Sequence, residues 1–131
     1  MDGTNARQRD TPPAVSVCLT VLQNRPDFLL AARTGRQGTR GMMVQARKRR
    51  ADELPVGIRV GFTCSKKVGN AVARNRAKRR LREVARMILP IHGRAGWDYV
   101  LIGRANATAE RPFEDLKTDL IYALKKLHHD L

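Results

Sequence analysis

The chain has 131 residues, with 26 Lys and Arg against 12 Asp and Glu, a formal charge of +14. Such an excess points to nucleic acid or another anionic surface as partner and says nothing by itself about the fold. The length suits one domain, and 42% hydrophobic residues suffice for a modest core, which argues against a disordered basic tail. No apolar run approaches the roughly 20 residues of a membrane span, and the opening MDGTNARQRD lacks the apolar core of a secretory signal. A soluble, cytoplasmic protein is the expectation.

Residues 1–20 carry Pro12 and Pro13 without a sustained period and read as a flexible arm, leaving 21–129 as a folded α/β domain. A short helix is expected over about residues 22–33, starting nearer Arg25 because Pro26 is tolerated only in a first turn. Gly35, Gly38 and Gly41 end it and lead into extended chain. Residues 42–47 and 58–65 read as strands, joined by a charged loop, Arg49-Arg50-Ala51-Asp52-Glu53, that ends at Pro55. Asn70 is the expected N-cap of a long helix, and Pro90 its expected end. Residues 97–104, WDYVLIGR, form the clearest strand. A last helix follows Pro112, with Phe113, Leu116, Leu120, Leu124 and Leu127 at helical spacing and therefore in the core.

The long helix is the most informative segment. From Ser65 to Arg86 the chain holds nine Lys and Arg against one acid, Glu83. At about 100° per residue, Ala73, Ala77, Leu81, Val84 and Ile88 share a narrow apolar stripe, while Arg74, Asn75, Lys78, Arg79, Arg82 and Arg86 occupy the opposite arc. Like charges on neighbouring turns repel by a few tenths of a kcal/mol per pair, a cost that a polyanion offsets. The density, the one-sidedness and the embedded Asn75 favour a phosphate-binding helix over a merely solvated face. Arg80 falls near the apolar stripe and is expected to lie over the sheet edge instead.

Candidate catalytic groups are sparse. The acids Asp52, Glu53, Asp98, Glu110, Glu114 and Asp115 are scattered, whereas two-metal hydrolysis needs carboxylates converging on one site. The last three suit the N-terminal dipole of the final helix. His92, in IHGRAG, has no evident acid–base partner. Cys18, Cys64, His128 and His129 lack metal-ligand spacing. Cys64 reads as a buried structural thiol, and His128-His129 as the frayed end of a helix. No catalytic or metal-binding residue is expected on this chain.

SKKVGNAVARNRAKRRLRE, centred on Arg74-Asn75-Arg76, resembles the signature of the bacterial ribonuclease P protein subunit. GIRVGFTCSKK, WDYVLIGR and RPDFLLAARTG, the last with Asp27-Phe28 and the closing Gly35, are similar to the family's flanking strands and first helix. The resemblance covers roughly residues 22–125. It implies an α+β fold, a small single-domain α/β sandwich of order αβββαβα. The sheet would be mixed and four-stranded, with a left-handed βαβ crossover that the general preference for right-handed crossovers would not suggest.

The resemblance also implies a function: assisting removal of the 5′ leader from precursor tRNA, with the Mg²⁺-dependent chemistry on a partner RNA subunit. Lys66, Lys67, Arg74, Asn75, Arg76, Lys78, Arg79 and Arg82 match the signature and would contact the catalytic RNA. Arginine suits that task because its planar fork engages two phosphate oxygens and stacks on bases. Phe28, Met43, Gln45, Ser65, Lys66 and Arg104 would line a cleft for the leader of precursor tRNA. For Phe28, stacking on a leader base and ordinary core packing both stand. Ala32 and Gln45 replace expected large or aromatic residues, making the cleft less aromatic than usual; Leu19-Thr20-Val21 and Ala105 replace expected basic ones. A ribosomal or ribosome-assembly protein would share the charge and the α/β plan but not this signature. A DNA-binding factor would need a dimer-forming element that the sequence does not offer.

Overall fold

The computed structural model describes residues 19–50, 52–53 and 57–129. Its elements in chain order are β1 (Leu19–Val21), α1 (Arg25–Ala32), β2 (Gly35–Gly38), β3 (Met42–Lys48), β4 (Ile58–Thr63), a 3₁₀ turn (Lys66–Val68), α2 (Ala71–His92), β5 (Trp97–Gly103), α3 (Ala107–Glu110) and α4 (Phe113–His129). They make an α+β sandwich on one mixed sheet of order β1-β4-β5-β3-β2. β1, β4 and β5 run parallel, whereas β3 is antiparallel to both β5 and β2. α2 connects the parallel neighbours β4 and β5.

The main core lies between the sheet and the pair α2 and α4. Met42, Val44, Ile58, Tyr99 and Leu101 from the strands meet Leu81, Val84 and Leu89 of α2 and Leu116, Leu120 and Leu124 of α4. The α2 stripe is buried as its periodicity requires, with Ala77, Leu81, Val84 and Ile88 inside and Ala73 half-buried. Asn70 caps α2 by accepting from the Ala73 N–H at 2.9 Å, satisfying one of the helix's orphan donors. A smaller cluster of Leu22, Ala31 and Val100, with Phe28 and Ile102 against it, fixes α1 to the opposite face.

Several expectations need correction. The sheet has five strands, not four. Leu19 and Thr20, placed in the arm, belong to β1, which pairs with β4; residues 1–18, Cys18 among them, and Pro55 lie outside the described residues. Gly35–Gly38 is a strand because β3 supplies its ladder, Gly35 opposite Ala46 and Gly38 opposite Met43; tertiary pairing overrides glycine's weak strand preference. Pro90 does not end α2, which runs to His92. A proline there forfeits one hydrogen bond in the last turn, and Leu89 O still accepts from the Gly93 N–H at 2.8 Å.

His128 is not at a frayed end. His128 is 7% exposed, packs edge-on against Trp97 and lies 2.7 Å by Nε2 from the Tyr99 hydroxyl. Burial lowers its pKa to about 4, with the Arg94 charge adding to the effect. Burial likewise raises the pKa of Tyr99, keeping the phenol protonated.

Candidate RNA interface

On the α1 face, strand register sets side chains in three cross-strand rows: Arg47–Asp98–Arg59, Gln45–Val100–Gly61 and Met43–Ile102–Thr63. Each row does a different job. The first is an ionic clamp, the second lies under α1, and the third leads into an open groove.

In the first row Asp98 is fully buried yet accepts from Arg49 at 2.6 Å and from Arg59 at 2.8 and 2.7 Å, with Arg47 at 3.4 Å. The hydrogen bonds to Asp98 raise the Arg59 pKa above the usual arginine value. Arg59 extends to Asp27 of α1 at 3.5 Å, and Arg47 forks onto Glu53 at 3.0 and 2.8 Å. A buried charge is tolerable only when paired and hydrogen-bonded, and Asp98 meets that condition. Nothing in the sequence joins residues 27, 47, 49, 59 and 98: strand register aligns 47, 59 and 98, and the packing of α1 and the turn after β3 bring in 27 and 49.

In the second row Gly61 lets α1 approach. A Cβ there would lie 2.5 and 2.6 Å from the Phe28 ring, so the glycine is the ring's seat. Phe28 is half-buried, against Leu22 and Val100, and its free side lines a hollow of about 450 Å³ with Arg25, Leu29, Ala32 and Gln45. A second hollow of about 350 Å³ continues along the sheet, bounded by Arg36, Met43, Ser65, Lys67 and Arg104. Gln45 and Ile102 line both, making one groove.

Of the residues expected in the cleft, Phe28, Met43, Gln45, Ser65 and Arg104 line this groove. Lys66 does not: the 3₁₀ turn directs the chain so that Lys67 takes the lining position. Ser65 caps that turn, accepting from the Lys67 N–H at 3.2 Å. Arg25 and Arg36 are cations of the groove that the sequence reading missed. Arg36 sits on the unforeseen strand β2, opposite Gln45.

The groove ends where the chain enters α2. Along that helix Asn75, Arg76, Arg79 and Arg82 are exposed, Lys78 is half-buried, and Lys66 and Lys67 are exposed just ahead of it. Arg74 is half-buried and donates to the Gly69 carbonyl at 2.9 Å, so part of its fork braces the helix entry. Arg80 leaves the cationic face, as its helical angle suggested: Nη1 donates to the Thr108 and Ala109 carbonyls at 3.0 and 2.7 Å, closing α3. Cys64 is free and half-buried beneath the turn, and burial raises its pKa, leaving a thiol rather than a nucleophilic thiolate.

Among the described residues no group of three or more His, Cys, Asp or Glu comes together to hold a metal ion. Nor is any helix there long and apolar enough to cross a membrane. An open groove rimmed by arginine and lysine, ending at a cationic helix, defines a small α+β RNA-binding protein. The family model for ribonuclease P matches residues 19–128, and the chain belongs to that family, whose members act in tRNA processing as part of a ribonucleoprotein.

The chain is 69% identical over 121 residues to the ribonuclease P protein component of Ruegeria pomeroyi, covering 89% of this chain and 96% of the relative. It is 49% identical over 110 residues to that of Caulobacter vibrioides, covering 84% and 72%. Among solved structures it resembles the RNase P protein of Staphylococcus aureus at a TM-score of 0.66 with 25% identity, covering 82% and 94%. The likeness to the RNase P protein from Thermotoga maritima has a TM-score of 0.62 with 28% identity, covering 80% and 94%.

Proposed function

We propose that this chain grips the catalytic RNA of ribonuclease P with α2 and holds the 5′ leader of precursor tRNA in the α1 groove. The continuity of groove and helix carries the reading: Ser65 and Lys67 close the groove only a few residues before α2 begins. An extended strand leaving the groove is therefore delivered to the arginine face. Phosphate contacts position a nucleic acid without reading its sequence, and stacking on Phe28 accepts any base. Both properties suit a protein that must accept many leaders.

The chemistry belongs to the RNA subunit, which supplies the sites for Mg²⁺. Three of this chain's least exposed carboxylates are engaged within the protein: Asp98 holds arginines, Asp119 pairs with Arg111 at 2.6 Å, and Glu53 pairs with Arg47 at 2.8 Å. This protein's contribution is to neutralise, orient and retain substrate and RNA subunit in one assembly. Reconstitution tests the division of labour. Nuclease-free protein with millimolar Mg²⁺ should leave precursor tRNA intact, and adding the cognate RNA subunit should restore cleavage to a mature 5′ end. Metal-dependent cleavage by the protein alone would refute it.

A further inference from the structure

Phe62 alternates with Gly61 and Thr63 along β4, so its ring turns away from the α1 groove to the α2 side of the sheet. There it borders a second hollow, of about 310 Å³, between the β1–β4 edge and α2. The floor of this second hollow is apolar, formed by Val21, Val60 and Phe62, and Arg79 and Arg82 stand at its rim. Its one acid, Glu83, is engaged with Arg86 through a 2.5 Å ion pair. Arg79 and Arg82 have no carboxylate partner among the described residues. Arg82 instead lies over the Phe62 ring, its Cζ 5.6 Å from the centroid, within the reach of a cation–π contact.

This lining selects a ligand by chemistry. An apolar floor with an aromatic face asks for a flat, weakly polar group, and two unneutralised guanidiniums at its edge ask for negative charge beside that group. A nucleotide joins both in one unit, and its base has a π face whatever its identity. The volume lies at the small end of ligand pockets, roughly 300–1,000 Å³, which suits one base rather than a helix or a peptide strand.

We infer that this hollow receives one unpaired ribonucleotide, its base stacked on Phe62 and Arg82 and its phosphate held by Arg79. The inference rests on the reading of α2 as an RNA-binding helix and adds to it a base contact. Two sources share this chemistry: a bulged nucleotide of the RNA subunit, and a leader nucleotide that has left the groove and reached the arginine face of α2. Planarity matters here as well as charge, because guanidinium stacks on a base and ammonium does not.

The test uses the reconstituted holoenzyme with 4-thiouridine placed either throughout the RNA subunit or in the precursor leader, followed by irradiation and mapping of crosslinked peptides. A crosslink within residues 60–63, lost in Phe62→Leu, supports the inference, and the RNA that carries it names the source. A crosslink from neither RNA would leave the hollow to a protein side chain or a lipid and overturn the proposal. Arg82→Lys, which keeps the charge, should weaken the affinity of the crosslinking RNA roughly fivefold to tenfold, the low end of base–aromatic stacking. Unchanged affinity would also overturn it. Because Arg82 is exposed, this variant keeps the test open even if Phe62→Leu folds poorly. Arg76→Ala in the same assay separates the two readings: if it weakens binding while Arg82→Lys does not, the hollow fails and the helix stands.

Discussion

Arg59 and Asp98 face each other across the parallel pair β4 and β5, joined by Nε–Oδ1 and Nη2–Oδ2 hydrogen bonds of 2.8 and 2.7 Å. Because Arg59 also reaches Asp27 of α1, the pair connects the sheet to the helix that roofs the groove. Asp98 further holds Arg49, whose other nitrogen donates to the Gly57 carbonyl at 2.6 Å. One buried carboxylate thus ties two loops and a helix to the sheet.

Asp98→Asn should be severely destabilising, because it leaves buried guanidiniums without their counter-charge. Removing one partner of a buried pair costs about 3–5 kcal/mol, a large part of a small domain's stability. Urea unfolding of the two proteins should show that loss in the midpoint with little change in slope. An unchanged midpoint would mean that solvent already neutralises the cluster.

Arg80 and Arg76 sit on one helix and should fail in different ways. Arg80→Ala removes both hydrogen bonds to the α3 carbonyls and should cost about 1–3 kcal/mol of stability, with little effect on the salt dependence of RNA binding. Arg76→Ala should leave the melting temperature in place and weaken RNA-subunit binding by roughly tenfold. It should also reduce the slope of log affinity against log salt by about 1. Thermal melts and a salt titration on both variants check the separation. Identical behaviour would mean that the two arginines share one role.

How far the sequence foretold this arrangement depended on whether the signal was local. The stripes of α2 and α4 repeat every three or four residues, so Leu81, Val84, Leu116 and Leu120 could be placed inside from spacing alone. Asn70 announced its cap, and the helical angle of Arg80 already set it apart from the cationic face. Three features depend on partners distant in the chain. β2 is glycine at both ends and becomes a strand only against β3. β1 exists by pairing with β4, almost 40 residues onward. His128 looked terminal and polar, and only the fold brings Trp97 and Tyr99 around it. The Asp98 clamp was hidden for the same reason, since charged residues in a basic chain ordinarily read as surface.

His128 makes stability depend on pH. Its pKa lies near 4 in the folded protein against an ordinary value of 6.5, so between those values the unfolded chain binds more protons. Folding stability should therefore rise with pH through that window and be lost as pH falls from about 6.5 towards 4, by at most about 3 kcal/mol. Arg94 and Lys125 line the same hollow as His128, as does His92, and the Arg94 charge opposes a further positive charge on the His128 ring. His128→Gln should flatten the dependence between pH 6.5 and 4 in chemical denaturation experiments. If the native protein shows no slope there, the imidazole is not desolvated.

Phe28 and Gly61 provide the sharpest test of the groove. The ring is half-buried, so Phe28→Ala should cost less than the roughly 3–5 kcal/mol of a fully buried phenylalanine. If its free side stacks on a leader base, holoenzyme affinity for leader-bearing precursor should also fall by about 1 kcal/mol, the low end of the stacking range. Affinity for mature tRNA, which has no leader, should not change. Gly61→Ala reaches the same ring from beneath: its Cβ would come within 2.5 Å of Phe28 and 3.1 Å of Leu22, forcing the ring out of its seat. That variant should lose leader-dependent affinity while Phe28 is still present. Combining it with Phe28→Ala should recover part of the stability, because the methyl then occupies space the ring has left, and contacting residues are not additive. Binding of precursor and mature tRNA, with a thermal melt for each of the three variants, decides the matter. Equal losses on both tRNAs would reduce Phe28 to a core residue and move the leader elsewhere.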